Sequence, residues 1–229
     1  MSAQAMLEQL LKSGLSLVES GKARVGSGPG TDWGSFGTGA AAGGALGLLL
    51  GSKRGRKFGG KVVKVGSVAA LGLLAYKAYS DWQARQQGGG AASVPAPPAA
   101  LPRTVDRLPA PEVEQHSRAM LGAMVAAAKA DGHLDERERG LLEAELARLE
   151  ADPPTRRWLE EEVRRPLDPA EVARAAATPE LAAEMYLASL LVADETSFME
   201  RAYLDELARQ LRLPEGLKVE LERQAPAAG

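Results

Sequence analysis

Cysteine is absent from the 229 residues, which excludes disulfides, thiolate metal sites and a cysteine nucleophile. Imidazole is scarce, with His116 and His133 the two histidines. Neither belongs to a nucleophile with a histidine base or to an HExxH pair, and the glycines never end in the G-K-[ST] of a phosphate loop. The segment from Met1 to Glu19 lacks the basic start, long apolar run and small-residue cleavage site of a signal peptide. No stretch alternates with the period of a strand, so the expectation is an all-α fold. The missing motifs argue against an enzyme.

A net charge of −2 conceals two unlike halves. Residues 1–90 hold 11 Lys and Arg against 4 Asp and Glu, a balance of +7, whereas residues 91–229 hold 17 against 26, a balance of −9. The basic half suits an anionic membrane surface, and the acidic half is a poor match for nucleic acid.

Within the basic half, glycine recurs at every fourth position through Gly39, Gly43, Gly47 and Gly51. On a helix this period lines the glycines into one groove that another backbone can approach closely, through which a second copy or a protein partner would pack. The uncharged stretch from Gly34 to Ser52 would be about 28 Å long as a helix, near the thickness of a bilayer core. It stops at the basic cluster Lys53, Arg54, Arg56 and Lys57, which belongs in water or among headgroups. A second apolar segment, Val62 to Tyr79, carries Lys64 and Lys77 and ends in Tyr76, Tyr79 and Trp82, an arrangement that reads as an aromatic belt. The expected organisation is an amphipathic segment and loop at 1–33 and glycine-rich, membrane-associated helices at 34–85. The soluble counterpart of that reading is a glycine-rich helical pair in a homo-oligomer.

Residues 86–111 read as a linker, glycine-rich and then rich in proline from Pro95 to Pro111, with no capacity to bury a core. From there to about residue 224, helical periodicity and capping signals coincide. They predict helices over Glu112 to Ala130, from Asp135, after Asp152 around Trp158 and Leu159, after Asp168, from Thr178 to Ala193, after Ser197, and near Pro214. Met120, Met124, Val125 and Ala128 should face inward on the first, and Tyr203, Leu204, Leu207 and Leu211 on the sixth. His116 is expected at the surface. The turn Ala130, Asp131 and the helix after it echo Ala193, Asp194 and the helix after that, some 62 or 63 residues later.

At KADGHLDERE (Lys129 to Glu138) and VADETSFMERAYLDELARQL (Val192 to Leu211) the chain resembles TerB-like domains, the small helical bundles of the tellurite-resistance family. With Gly44 to Gln83 added, the whole is similar to the YebE-type inner-membrane proteins of bacteria, a family without established activity. The likeness covers nearly everything except the linker. It implies a bacterial inner-membrane protein whose TerB-like domain, at 112–224, has six or seven helices and lies in the cytoplasm. A loose association with chemical stress comes with it. Also implied is a divalent cation, Ca²⁺, Mg²⁺ or Mn²⁺, held by Asp131, Asp135, Glu138, Asp194 and Glu200. The residues themselves leave another reading open: Asp135 with Glu138 and Ser197 with Glu200 are good capping boxes without any ligand. His133 is a fifth ligand or a turn residue.

Three functions compete on these grounds. The first is a membrane-tethered module that recruits a partner or senses a divalent ion. The second is a soluble homo-oligomeric assembly protein. The third is a metal-dependent hydrolase, which needs an open coordination position and a substrate pocket.

Overall fold

The structure, a computed structural model, describes residues 2–11, 67–87, 104–130, 152–193 and 197–225. Every regular element among them is helical. Residues 3–11 form α1. Then come α2 (Val68–Gln87), a 3-10 turn (Val105–Arg107), α3 (Ala110–Ala128) and α4 (Pro153–Arg164). The rest are α5 (Pro169–Ala173), α6 (Pro179–Val192), α7 (Phe198–Gln210) and α8 (Glu215–Gln224). The predicted helix from Asp135 lies outside the described residues.

The capping signals start these helices as their chemistry requires. Side-chain oxygens of Asp152, Asp168 and Thr178 accept the backbone N–H of Thr155, Ala170 and Leu181, at 2.9, 2.9 and 3.1 Å, and a proline follows each cap. Proline costs nothing there, because its missing N–H would have had no helical partner. Ser197 caps α7 by accepting the N–H of Glu200 at 3.5 Å.

The axis of the bundle is α6, in which every residue from Leu181 to Val192 is buried. A helix apolar on all sides needs neighbours on all sides. Along it packs α3, through Met120, Met124 and Val125, with α2, α7 and α8 around the remainder. Tyr203, Leu204, Leu207 and Leu211 of α7 face inward as their spacing predicts.

Two features differ from the sequence expectations. Over its described part, from residue 68 to Tyr79, the second apolar segment lies in α2, which packs against α6, α8 and the 3-10 turn. Val68, Leu71, Ala75 and Ala78 face into the bundle, so the apolar stripe that reads as lipid-facing is satisfied by protein. Its aromatic residues serve packing: Trp82 lies 5.5 Å from Tyr79, ring centre to ring centre, and close to Gly216, where a Cβ would come within 3.1 Å of the indole. The end of the linker is likewise not an inert tether. Thr104 and Val105 are buried, because the 3-10 turn wedges between α2 and α3.

Helix α1 turns an apolar stripe inward. Ala3, Met6, Leu7, Leu10 and Leu11 recur at helical spacing and are all buried. Its start is closed by another element, since Glu114 of α3 accepts the N–H of Ala3 at 2.6 Å and of Gln4 at 3.0 Å. A carboxylate at a helix N-terminus satisfies orphan donors and opposes the positive end of the dipole.

Candidate functional site

Glu184 is the one charged residue between Leu181 and Val192, and its place on the axial helix leaves it fully buried. A carboxylate there is tolerated only if its oxygens are used. Oε1 accepts the backbone N–H of Val105 at 2.6 Å, and Oε2 lies 2.7 Å from Nδ1 of His116, itself 6% exposed. Burial pushes the Glu184 carboxyl above its ordinary range, the negative charge of Asp106 adds to that, and the bonds to His116 and Val105 pull the other way. His116 is therefore not the surface residue its neighbours Glu112 and Gln115 suggest. It shares an inner face with Val113, Met120 and Met124.

Three elements thus meet at one carboxylate: α6 supplies it, α3 the imidazole, and the end of the proline-rich connector a backbone donor. On the far side the connector rests on α2. A Cβ at Gly72 would stand 2.8 Å from Asp106 Oδ1 and 2.9 Å from Val105 Cγ1, so only glycine admits the turn this close. The Arg107 guanidinium lies 4.8 Å from the centre of the Tyr76 ring, within cation–π range, and pairs with Asp106 at 3.4 Å. The hydroxyls of Thr104 and Ser117, next in sequence to Val105 and His116, are buried without a hydrogen-bond partner.

A second polar node joins α2 to α8. The Glu220 carboxylate is enclosed by its own partners: Arg85 at 3.1 Å, Arg223 Nε at 3.1 Å and Gln224 Nε2 at 3.0 Å. The hydrogen bond from Arg223 chiefly holds this carboxyl below its ordinary range. Asp81 accepts from Gln224 at 3.2 Å, so both helices contribute acids and bases. Elsewhere Lys129 closes the C-terminal end of α4, donating to the carbonyls of Glu162, at 3.0 Å, and of Arg165.

Of the residues the sequence singles out, Glu200 is buried on the first turn of α7 beside its cap Ser197. Asp131, Asp135, Glu138 and Asp194 lie outside the described residues. So do the ladder Gly39, Gly43, Gly47 and Gly51 and the cluster Lys53, Arg54, Arg56 and Lys57. Among the described residues no three His, Asp or Glu side chains group as metal ligands would, and no helix is long and apolar enough to cross a membrane. Sequence reasoning missed Glu184, though a lone acid inside LAAEMYLASLLV is a legible sign of a buried carboxylate in need of donors.

Fold and node together define an all-α bundle that takes up its own connector through a buried acid–imidazole pair. The chain belongs to the family described as Protein of unknown function (DUF533), whose model matches residues 35–225. It is 32% identical over 111 residues to the "Uncharacterized protein in ampR 5'region" of Yersinia enterocolitica, an alignment covering 48% of this chain and 80% of that one. No solved structure matches it.

Proposed function

We propose that this chain is a non-enzymatic interaction module of the bacterial inner membrane. Its basic, glycine-rich region meets anionic lipid, and its acidic bundle, of TerB-like and YebE-type kinship, receives a protein partner or senses a divalent cation. The observation that carries the non-enzymatic part is how the ionisable groups of the bundle are used. Glu184 is committed to His116 and to the Val105 N–H, and Glu220 to two arginines, so these acids and bases serve the architecture. The lipid part rests on the cluster Lys53, Arg54, Arg56 and Lys57 at the end of an uncharged stretch. The cation part rests on the acidic turns around Asp131 and Asp194.

Flotation of the full-length chain with vesicles tests the lipid part. Binding should be strong on vesicles containing phosphatidylglycerol and weak on phosphatidylcholine alone. Replacing Lys53, Arg54, Arg56 and Lys57 by Gln should weaken it by about two to three orders of magnitude, at roughly 1 kcal/mol per basic residue. A chain that stays in solution with both vesicles, as a defined oligomer, would establish the soluble assembly protein instead. Calorimetry of the full chain with Ca²⁺, Mg²⁺ and Mn²⁺ tests the cation. Absence of heat and of any rise in melting temperature would retire it.

A further inference from the structure

Helix α1 is held by the bundle as a receptor holds a helical peptide. Ala3, Met6, Leu7, Leu10 and Leu11 stand at i, i+3, i+4, i+7 and i+8, are at most 3% exposed, and belong to the same hydrophobic core as Met120 and Leu187. That spacing is the anchor pattern of an amphipathic helix laid in an apolar groove. The start of the helix is recognised as well. Glu114 of α3 accepts the N–H of Ala3 through Oε1, at 2.6 Å, and of Gln4 through Oε2, at 3.0 Å, while Ser2 Oγ accepts from Ala5 at 3.3 Å. The N–H groups from Ala3 to Ala5, which no turn of α1 can serve, thus all have acceptors, and the seat supplies two of them.

Nothing in this recognition requires helix and seat to belong to one chain. Residues 12–66 separate α1 from α2, 55 positions with a reach of at most about 200 Å. Helix α2 is about 30 Å long, so the seat of a neighbouring copy lies within that reach. The helix at 3–11 is too short to be stable on its own and gains its structure only in a seat. Every copy brings one such helix and one such seat. We infer that α1 is exchangeable between copies of this chain. The groove closed by Glu114 takes its own α1 in dilute solution and the α1 of a second copy when chains are concentrated. Exchange of an identical element creates no new contact, so mass action between tether and chain concentration sets the balance. Reciprocal exchange gives a closed dimer joined at both seats, whichever way the basic region is used.

Two full-length variants test this by complementation. The donor carries Glu114→Arg, which sets a positive charge at the positive end of the helix dipole, spoils its own seat and leaves α1 intact. The acceptor carries Leu7→Asp and Leu11→Asp, which spoil its α1 and free its seat. The lack of cysteine lets the donor be labelled uniquely at Gly229→Cys, and sedimentation velocity follows it as acceptor is added. An end on so long a tether has an effective concentration of about 1 mM or less at its seat, so seating α1 in about nine chains of ten requires an affinity in trans better than about 0.1 mM. The expected result is a one-to-one complex at or below about 0.1 mM acceptor, weakened at least about tenfold when the acceptor also carries Glu114→Arg, through loss of two charge-assisted bonds. Circular dichroism checks that each variant is folded, and an acceptor with Leu7→Ser alone repeats the titration where the double replacement unfolds the bundle. No complex at about 1 mM of folded acceptor would overturn the inference. So would a complex that Glu114→Arg in the acceptor leaves unchanged, which would put the association on another surface.

Discussion

The backbone N–H of Val105 and the carboxylate of Glu184 meet at 2.6 Å inside the bundle, 79 residues apart in sequence. That one bond fixes where the proline-rich connector ends and the helical core begins. It also explains how an acid survives on a helix buried along its length.

Removing the acid should therefore be costly. Glu184→Ala leaves Val105 N–H and His116 without their acceptor and should destabilise the full chain by about 3 kcal/mol, measured as ΔG of unfolding in urea. Glu184→Gln keeps an acceptor oxygen and should lose about half as much. A double-mutant cycle with His116→Phe should show coupling of about 1 kcal/mol or more, and additive losses would mean that the pair does not act as a unit.

Two glycines should respond with opposite signs to the same change. Gly72→Ala gains helix propensity but drives a methyl group to 2.8 Å from Asp106 Oδ1 and 3.2 Å from its backbone nitrogen. The clash prevails, for a net loss of about 1–3 kcal/mol. Gly122→Ala places its methyl 3.7 Å from the Trp158 ring, an ordinary contact, and should stabilise by about 0.5–1 kcal/mol. Melting temperatures of the two variants, moving apart from the wild type, check both.

The acids should also divide by the sign of their pH dependence. The carboxyl of Glu184 is raised in the folded state, so its contribution is fully present below the unfolded value near 4.5 and is lost as pH climbs through the folded one. Glu184→Gln should therefore gain on the wild type as pH rises above about 4.5. Glu220 and Glu206 behave oppositely. Arg209 and Gln210 hold Glu206 down to about 2, so what these two acids contribute is present above about 4.5 and fades as pH falls through their lowered values. Melting curves from acid to neutral pH on wild type, Glu184→Gln and Glu220→Gln separate the two directions.

A bundle cut at the linker should fail. Residues 110–229 lack Val68, Leu71, Ala75 and Ala78 and leave Glu220 without Arg85. Relative to residues 67–229, that fragment should lose on the order of 5 kcal/mol, from the exposed faces of α6 and α8. Circular dichroism and denaturant titration of the two fragments give the comparison, and equal stabilities would show that α2 is dispensable.

Much of this fold is legible from local chemistry. Asp152, Asp168, Thr178 and Ser197 announce helix starts because capping is decided within three residues, and the structure uses each as a cap. The fate of α2 is less accessible. An apolar stripe flanked by lysines and aromatic rings has the same period whether it faces lipid or protein, and the partners that settle the matter, Gly216 and Glu220, lie more than a hundred residues away. His116 misleads for a related reason: Glu112 and Gln115 colour its surroundings polar, while its helical neighbours Val113 and Met120 turn inward. The node at Glu184 is half legible. A lone acid in an apolar run demands donors, but no local pattern nominates a backbone amide at the end of a proline-rich connector.

The bond from Ala3 to Glu114 spans 111 positions of sequence, and that distance bears on the order in which the molecule assembles. Closing so long a loop carries an entropic cost that only a finished docking site can repay. The site in turn needs α3 already in place. The helix at 3–11 should thus be the last piece to lock during folding and the first to open in the native state, with amides that exchange with solvent well ahead of those in α6. The two outer helices would then differ in kinetic character, α1 a quick-release clasp and α2 a slow anchor.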